Sequence, residues 1–82
     1  MKALIYITPK DDILDPQGQT VGTALRNMGI SHIDEVRIGK FVEMTLPKLN
    51  LKQAEKATTE ACERLLVNPN IETYRFEIDE EA

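Results

Sequence analysis

Among the residue types that do covalent or metal chemistry, this sequence has one histidine and one cysteine. His32 has no second histidine and no matched cysteine to complete a metal site or a nucleophile–base pair, so a surface or loop histidine is the simpler reading. Cys62 falls on the apolar stripe of an expected helix, where a thiol packs as a small hydrophobe. No histidine lies near it in the chain to take its proton. A single cysteine also excludes an internal disulfide.

Carboxylates are more abundant. Asp11, Asp12 and Asp15 crowd one loop and could hold a divalent ion, but the spacing and glycine of a calcium loop are missing. A solvated loop with one helix cap accounts for them. Asp34-Glu35 reads as a solvated turn. Gly18, Gly22 and Gly29 form no phosphate-cradling pattern. Arg37-Ile38-Gly39-Lys40 is the best anion-binding candidate: its two cations suit a partner's carboxylates, a ligand phosphate, or only a soluble surface. No set of side chains assembles a reaction centre, so the residues point to an accessory or interaction domain.

The elements that must position these residues follow from spacing. Ala3 to Thr8 reads as a strand with apolar groups on both faces, Ala3, Ile5 and Ile7 on one and Leu4 and Tyr6 on the other. After a loop, Asp15 suits a helix N-cap with Pro16 at the first helical position. Val21, Ala24, Leu25 and Met28 form a packing stripe, and Gly29 stops the helix. Gly18 and Gly22, one turn apart, weaken that helix or admit close backbone approach by another element or subunit. Ile33–Gly39 and Phe41–Leu46 read as an antiparallel hairpin with Gly39 at the bend or a bulge. A second helix begins after Pro47, with Asn50 and Gln53 set for a capping box. Leu51, Ala54, Thr58, Ala61 and Leu65 form its stripe, with Cys62 partly on it, and Asn68-Pro69 ends it. Ile71–Ile78 is a last strand with Tyr74, Phe76 and Ile78 on one face.

The expected fold is therefore α+β: one domain over residues 1–82, with ferredoxin-like β-α-β-β-α-β order and two layers. Four mostly antiparallel strands carry two helices on one face. The other face stays open with Leu4, Tyr6 and either Phe41 or Val42 on it, and an exposed apolar patch on a small domain marks a contact surface. With 82 residues the core is small, and partner surface adds stability. A dimer or higher oligomer is expected.

Composition narrows the partners. Ten Lys and Arg against 14 Asp and Glu give a net charge of −4, and the cations are scattered, which argues against nucleic acid. No apolar run approaches the roughly 20 residues of a membrane helix. The opening Met1–Ile7, followed at once by Lys10, Asp11 and Asp12, reads as a strand and not a signal peptide, so the cytoplasm is the expected compartment.

Several motifs, taken together and in order, resemble one family. They are Lys2–Thr8, Leu14-Asp15-Pro16-Gln17-Gly18, Ala24-Leu25 with Gly29, Val36–Lys40, Cys62–Pro69 and Ile71–Arg75. In this the sequence is similar over essentially its whole length to the PurS family, the small subunits of phosphoribosylformylglycinamidine synthase. It departs from the family pattern only in the loop Pro9-Lys10-Asp11-Asp12. The resemblance implies a homodimer or dimer of dimers that joins the synthetase subunit PurL and the glutaminase subunit PurQ. That complex converts formylglycinamide ribonucleotide, ATP and glutamine to the amidine in purine synthesis. The resemblance also implies that ATP and magnesium sit on the synthetase, the catalytic cysteine on the glutaminase, and no cofactor or metal on this chain. The small subunit would serve assembly and help keep the ammonia path closed to water. On that footing Asp15, Pro16 and Gly18 are expected to shape the helix start near a partner. Arg37 and Lys40 would face a partner's acidic groups, and Leu4, Tyr6 and Tyr74 would anchor contacts.

Three rival readings use the same elements. An ACT-like regulatory domain would bind an amino acid between paired subunits. A small ferredoxin-like enzyme would need a buried polar set near His32 or Asp15. An RNA-binding sheet would need stacking aromatics bordered by cations, which the charge balance opposes.

Overall fold

A computed structural model describes residues 1–82. The elements run β1 (Lys2–Pro9), α1 (Pro16–Asn27), β2 (Lys40–Thr45), α2 (Leu51–Ala61) and β3 (Glu72–Asp79), and a π-helical turn at Cys62–Leu66 extends α2. The sheet has three antiparallel strands in the order β2-β1-β3, not four. Central β1 pairs Ile5 with Val42 on one side and Phe76 on the other, which puts Ala3, Ile5 and Ile7 in line on one face. These three are fully buried, with Val42, Met44, Leu46, Tyr74, Phe76 and Ile78 packed around them. Burying Ile5 and Ile7 contributes about 1.5–3 kcal/mol each.

α2 covers this face. Asn50 accepts from the Gln53 N–H at 2.8 Å while the Gln53 side chain accepts from the Asn50 N–H at 3.2 Å, completing the capping box. Ala54, Thr58 and Cys62, four apart, are buried against the sheet. The Thr58 hydroxyl donates to the Ala54 carbonyl at 2.8 Å, so its burial leaves no polar atom unpaired. The π turn then shifts the phase of the side chains. Leu65, expected on the stripe, points outward and is 83% exposed, while Leu66 packs toward the core in its place.

The expected strand at Ile33–Gly39 does not form, and with it goes the hairpin. Both edges of β1 are already taken by β2 and β3. The Ile38 N–H is instead spent on the Asp15 carboxylate, at 2.7 Å. The half-buried Val36 faces α1, close to Gly18 and Gly22.

The second correction concerns α1, which stands off the sheet instead of sharing a face with α2. Its start and stop are as expected. Asp15 caps Gly18 at 3.0 Å and Pro16 opens the first turn. At the end Gly29 takes φ +90, letting the Gly29 and Ile30 N–H groups close on the Arg26 and Leu25 carbonyls. Residues 10–39 thus form an arm. The molecule measures 48 × 28 × 14 Å with a radius of gyration of 16.0 Å, against about 12 Å for a compact chain of this length.

Candidate functional site

Three surfaces collect the residues singled out above. The first is the uncovered face of the sheet. The register places Leu4 between Glu43 and Glu77, and Tyr6 between Phe41 and Arg75. Tyr6 and Phe41 lie 5.2 Å apart between ring centroids, and the Arg75 guanidinium sits 4.1 Å over the Tyr6 ring. That cation–π contact and the neighbouring long side chains leave Leu4 and Tyr6 half-buried, with Phe41 more than half exposed. The result is an apolar strip bordered by Lys2, Glu43, Glu77 and Arg75, the anatomy of a protein contact with a polar rim. Tyr74 is not part of it. It lies on the covered face, stacked near Phe76, and its hydroxyl donates to Glu63 at 3.4 Å. Burial, then the Glu63 charge, pushes its pKa up.

The second surface is the outer side of α1. Gly18 and Gly22 are buried against the returning segment, but Val21, Met28 and Ile30 are exposed, Met28 at 73%. Leu14 is also exposed at the base of the arm. An amphipathic helix whose apolar side meets only water is missing its packing partner.

The third is the joint between arm and sheet. The Asp15 carboxylate accepts from Gly18 through Oδ1 at 3.0 Å and from Ile38 through Oδ2 at 2.7 Å. The Ile38 bond above all, then the Gly18 bond and the Arg37 charge, hold its pKa below the ordinary carboxylate value. Gly18 must be glycine because an added Cβ would run into the Val36 carbonyl oxygen. Arg37 turns inward. Its Nη2 donates to the Pro9 and Lys10 carbonyls, each at 2.6 Å, and its Nη1 lies 3.5 Å from Glu35. Lys40 is exposed and pairs with Glu72 at 3.2 Å. The Asn68 N–H, ahead of Lys40, holds the Glu72 pKa down. Both expected anion-binding cations are therefore engaged within the chain. Nothing in the sequence marks Arg37 for this, because its acceptors are backbone carbonyls.

Beside the joint lies an open cavity of about 490 Å³ edged by Asp11, Asp12, Asp34 and Glu35 with Arg26 and Arg37. No three metal-ligating side chains converge in it or elsewhere. His32 is exposed. Cys62 is buried, and desolvation raises its pKa, the opposite of an activated thiol. The arrangement can bind macromolecular surface; it does not bring a nucleophile to a base.

Comparison with known proteins agrees on one family. The model described as PurS, phosphoribosylformylglycinamidine (FGAM) synthase, matches residues 2–80. The PurS subunit of phosphoribosylformylglycinamidine synthase from Bacillus subtilis (strain 168) is 40% identical over 79 residues, covering 96% of this chain and 93% of that protein. The crystal structure of PurS from Methanocaldococcus jannaschii superposes with a TM-score of 0.86 at 29% identity, over 96% of this chain and 95% of its own. A chain in the structure of PurLQS from Thermotoga maritima matches with a TM-score of 0.85 at 30% identity, over 93% of each.

Proposed function

This chain belongs to the PurS family, and from that membership we propose that it is a non-catalytic assembly subunit of phosphoribosylformylglycinamidine synthase. It joins the synthetase subunit PurL and the glutaminase subunit PurQ for the ATP- and glutamine-dependent step of purine synthesis. ATP and magnesium belong to the synthetase in this reading, and the complex works in the cytoplasm. The likeness to a chain of PurLQS supports the partnership.

The observation that carries the reading is the surface the chain leaves uncovered. It exposes 6133 Å², against roughly 5,000 Å² for a compact monomer of its length. The excess is comparable to the about 800 Å² that one partner contributes to a standard protein interface. Two apolar surfaces lie within it: the Leu4, Tyr6 and Phe41 strip, and the Val21, Met28 and Ile30 side of the arm. We assign the first covering to a second copy of the chain, giving a homodimer or a dimer of such dimers, with the larger subunits docking on the outside.

Reconstitution tests this directly. The synthetase and glutaminase subunits are mixed with and without the chain, and turnover is measured with glutamine and with ammonia as nitrogen donor. Glutamine-dependent turnover requires the chain, while ammonia-dependent turnover by the synthetase needs it far less. Equal glutamine-dependent turnover in its absence would contradict the assignment, as would any turnover by the chain alone.

A further inference from the structure

The arm projects from the sheet without apolar packing to hold it there. The core consists of β1, α2 and the flanking strands, and α1 takes no substantial part in it. What fixes the arm's direction is polar and local. The chain passes from sheet to arm at Pro9–Asp15 and returns at Val36–Gly39. One carboxylate and one guanidinium tie these passages together. Asp15 binds the helix start through one oxygen and the returning Ile38 N–H through the other. Arg37, on the returning passage, caps the first two carbonyls of the outgoing one, at Pro9 and Lys10. Gly18 lets the Val36 carbonyl close onto the helix between them.

We infer that Asp15 and Arg37 form a joint that sets the angle of the arm, and thereby the placement of its apolar side relative to the open face of the sheet. Hydrogen bonds are directional where apolar contacts slide, so two ions gripping both passages lock the orientation. The fork of Arg37 matters more than its charge. Its Nη2 reaches two neighbouring carbonyls while its Nη1 turns to Glu35, which the single ammonium of a lysine does not reproduce. Both are positioning residues: neither needs to touch a partner. The inference rests on the assembly reading for its consequence in the complex, but not for the geometry of the arm.

The test separates the two. Thr23→Cys on α1 and Thr45→Cys on β2, both exposed sites, are spin-labelled, and the labelled chain is diluted into excess unlabelled chain. One narrow distance is expected without further change. Asp15→Asn and Arg37→Lys broaden or shift it, and lower the affinity for the synthetase–glutaminase pair about tenfold, the scale of one charged hydrogen bond lost. If Arg37 served only as a charge, Arg37→Lys would match the wild type in both readouts, which overturns the inference. An unchanged distance in both variants overturns it as well. Should the variants fail to fold, hydrogen exchange on the wild-type chain decides. The Ile38 N–H is expected to exchange at least about tenfold more slowly than that of exposed Asp34, and equal rates contradict the joint. If the wild-type chain shows the narrow distance yet binds neither large subunit, the assembly reading fails and the joint stands.

Discussion

The sheet with α2 and the arm of residues 10–39 share one chain but are held by different forces. In the first, alternating apolar residues on β1 meet β2, β3 and α2, and seven of the nine buried residues lie there. In the arm only Gly18 and Gly22 are buried, Gly18 under the Val36 carbonyl and Gly22 under the Arg26 and Val36 side chains, while Val21 and Met28 face water. The sheet is a self-sufficient core. The arm is a shaped extension with Asp15 and Arg37 tying its two ends together at the base and its apolar side uncovered. A small subunit gains from this division: the sheet holds the core while the arm adds uncovered surface.

The comparison breaks most sharply in the core. Ile5→Ala removes a fully buried side chain and is expected to cost about 2–5 kcal/mol in chemical denaturation. A cost under about 1 kcal/mol would show that the sheet is not the stable half. Gly18→Ala forces a Cβ against the Val36 carbonyl. It should cost about 1–3 kcal/mol, with hydrogen exchange rising in the arm and not in β1. Met28→Lys replaces an exposed apolar group with a cation at a helix C-terminus, which the helix dipole favours. Unfolding free energy at matched low concentration should move by less than about 0.5 kcal/mol, while association with the synthetase and glutaminase subunits, measured by light scattering of the mixture, weakens at least about tenfold. Unchanged association would remove the arm from the interface. Asn50→Ala deletes the α2 capping box and should cost about 1 kcal/mol, with no effect on the arm.

Acid gives the smallest effect at working pH. The folded-state pKa of Asp15 is lowered from 3.8 by its bonds to Ile38 and Gly18, and that of Glu72 from 4.5 by its bond to Asn68. Their contribution is fully present above those ordinary values and is lost as pH falls through the lowered ones. Exchange protection of Ile38 should therefore fall below about pH 4 while Ile5 and Ile7 stay protected. Asp15→Asn should remove that dependence. Simultaneous loss across the sheet would merge the two regions into one cooperative unit.

Local signals in the sequence were enough for β1, both helix starts, the Gly29 stop and the inward face of β3, because caps and alternation act within a few residues. The Leu4 and Tyr6 face was also legible, since both faces of β1 are apolar. The expected strand at 33–39 failed because alternation marks a face but cannot name a free edge. The partner of the Ile38 N–H lies 23 residues away in a carboxylate. Leu65 was misplaced by a π turn that leaves no mark in composition. Arg37 and Lys40 could be recognised as a cationic pair, but not as a pair already spent on backbone carbonyls and on Glu72. The family resemblance supplied the function; the residues supplied only the lack of a reaction centre and the presence of surface to be covered.

The most direct test of that uncovered surface is sedimentation equilibrium of the wild-type chain across micromolar concentrations. A mass of at least two chains is expected. A mass of one chain at every concentration would contradict the need for a covering partner.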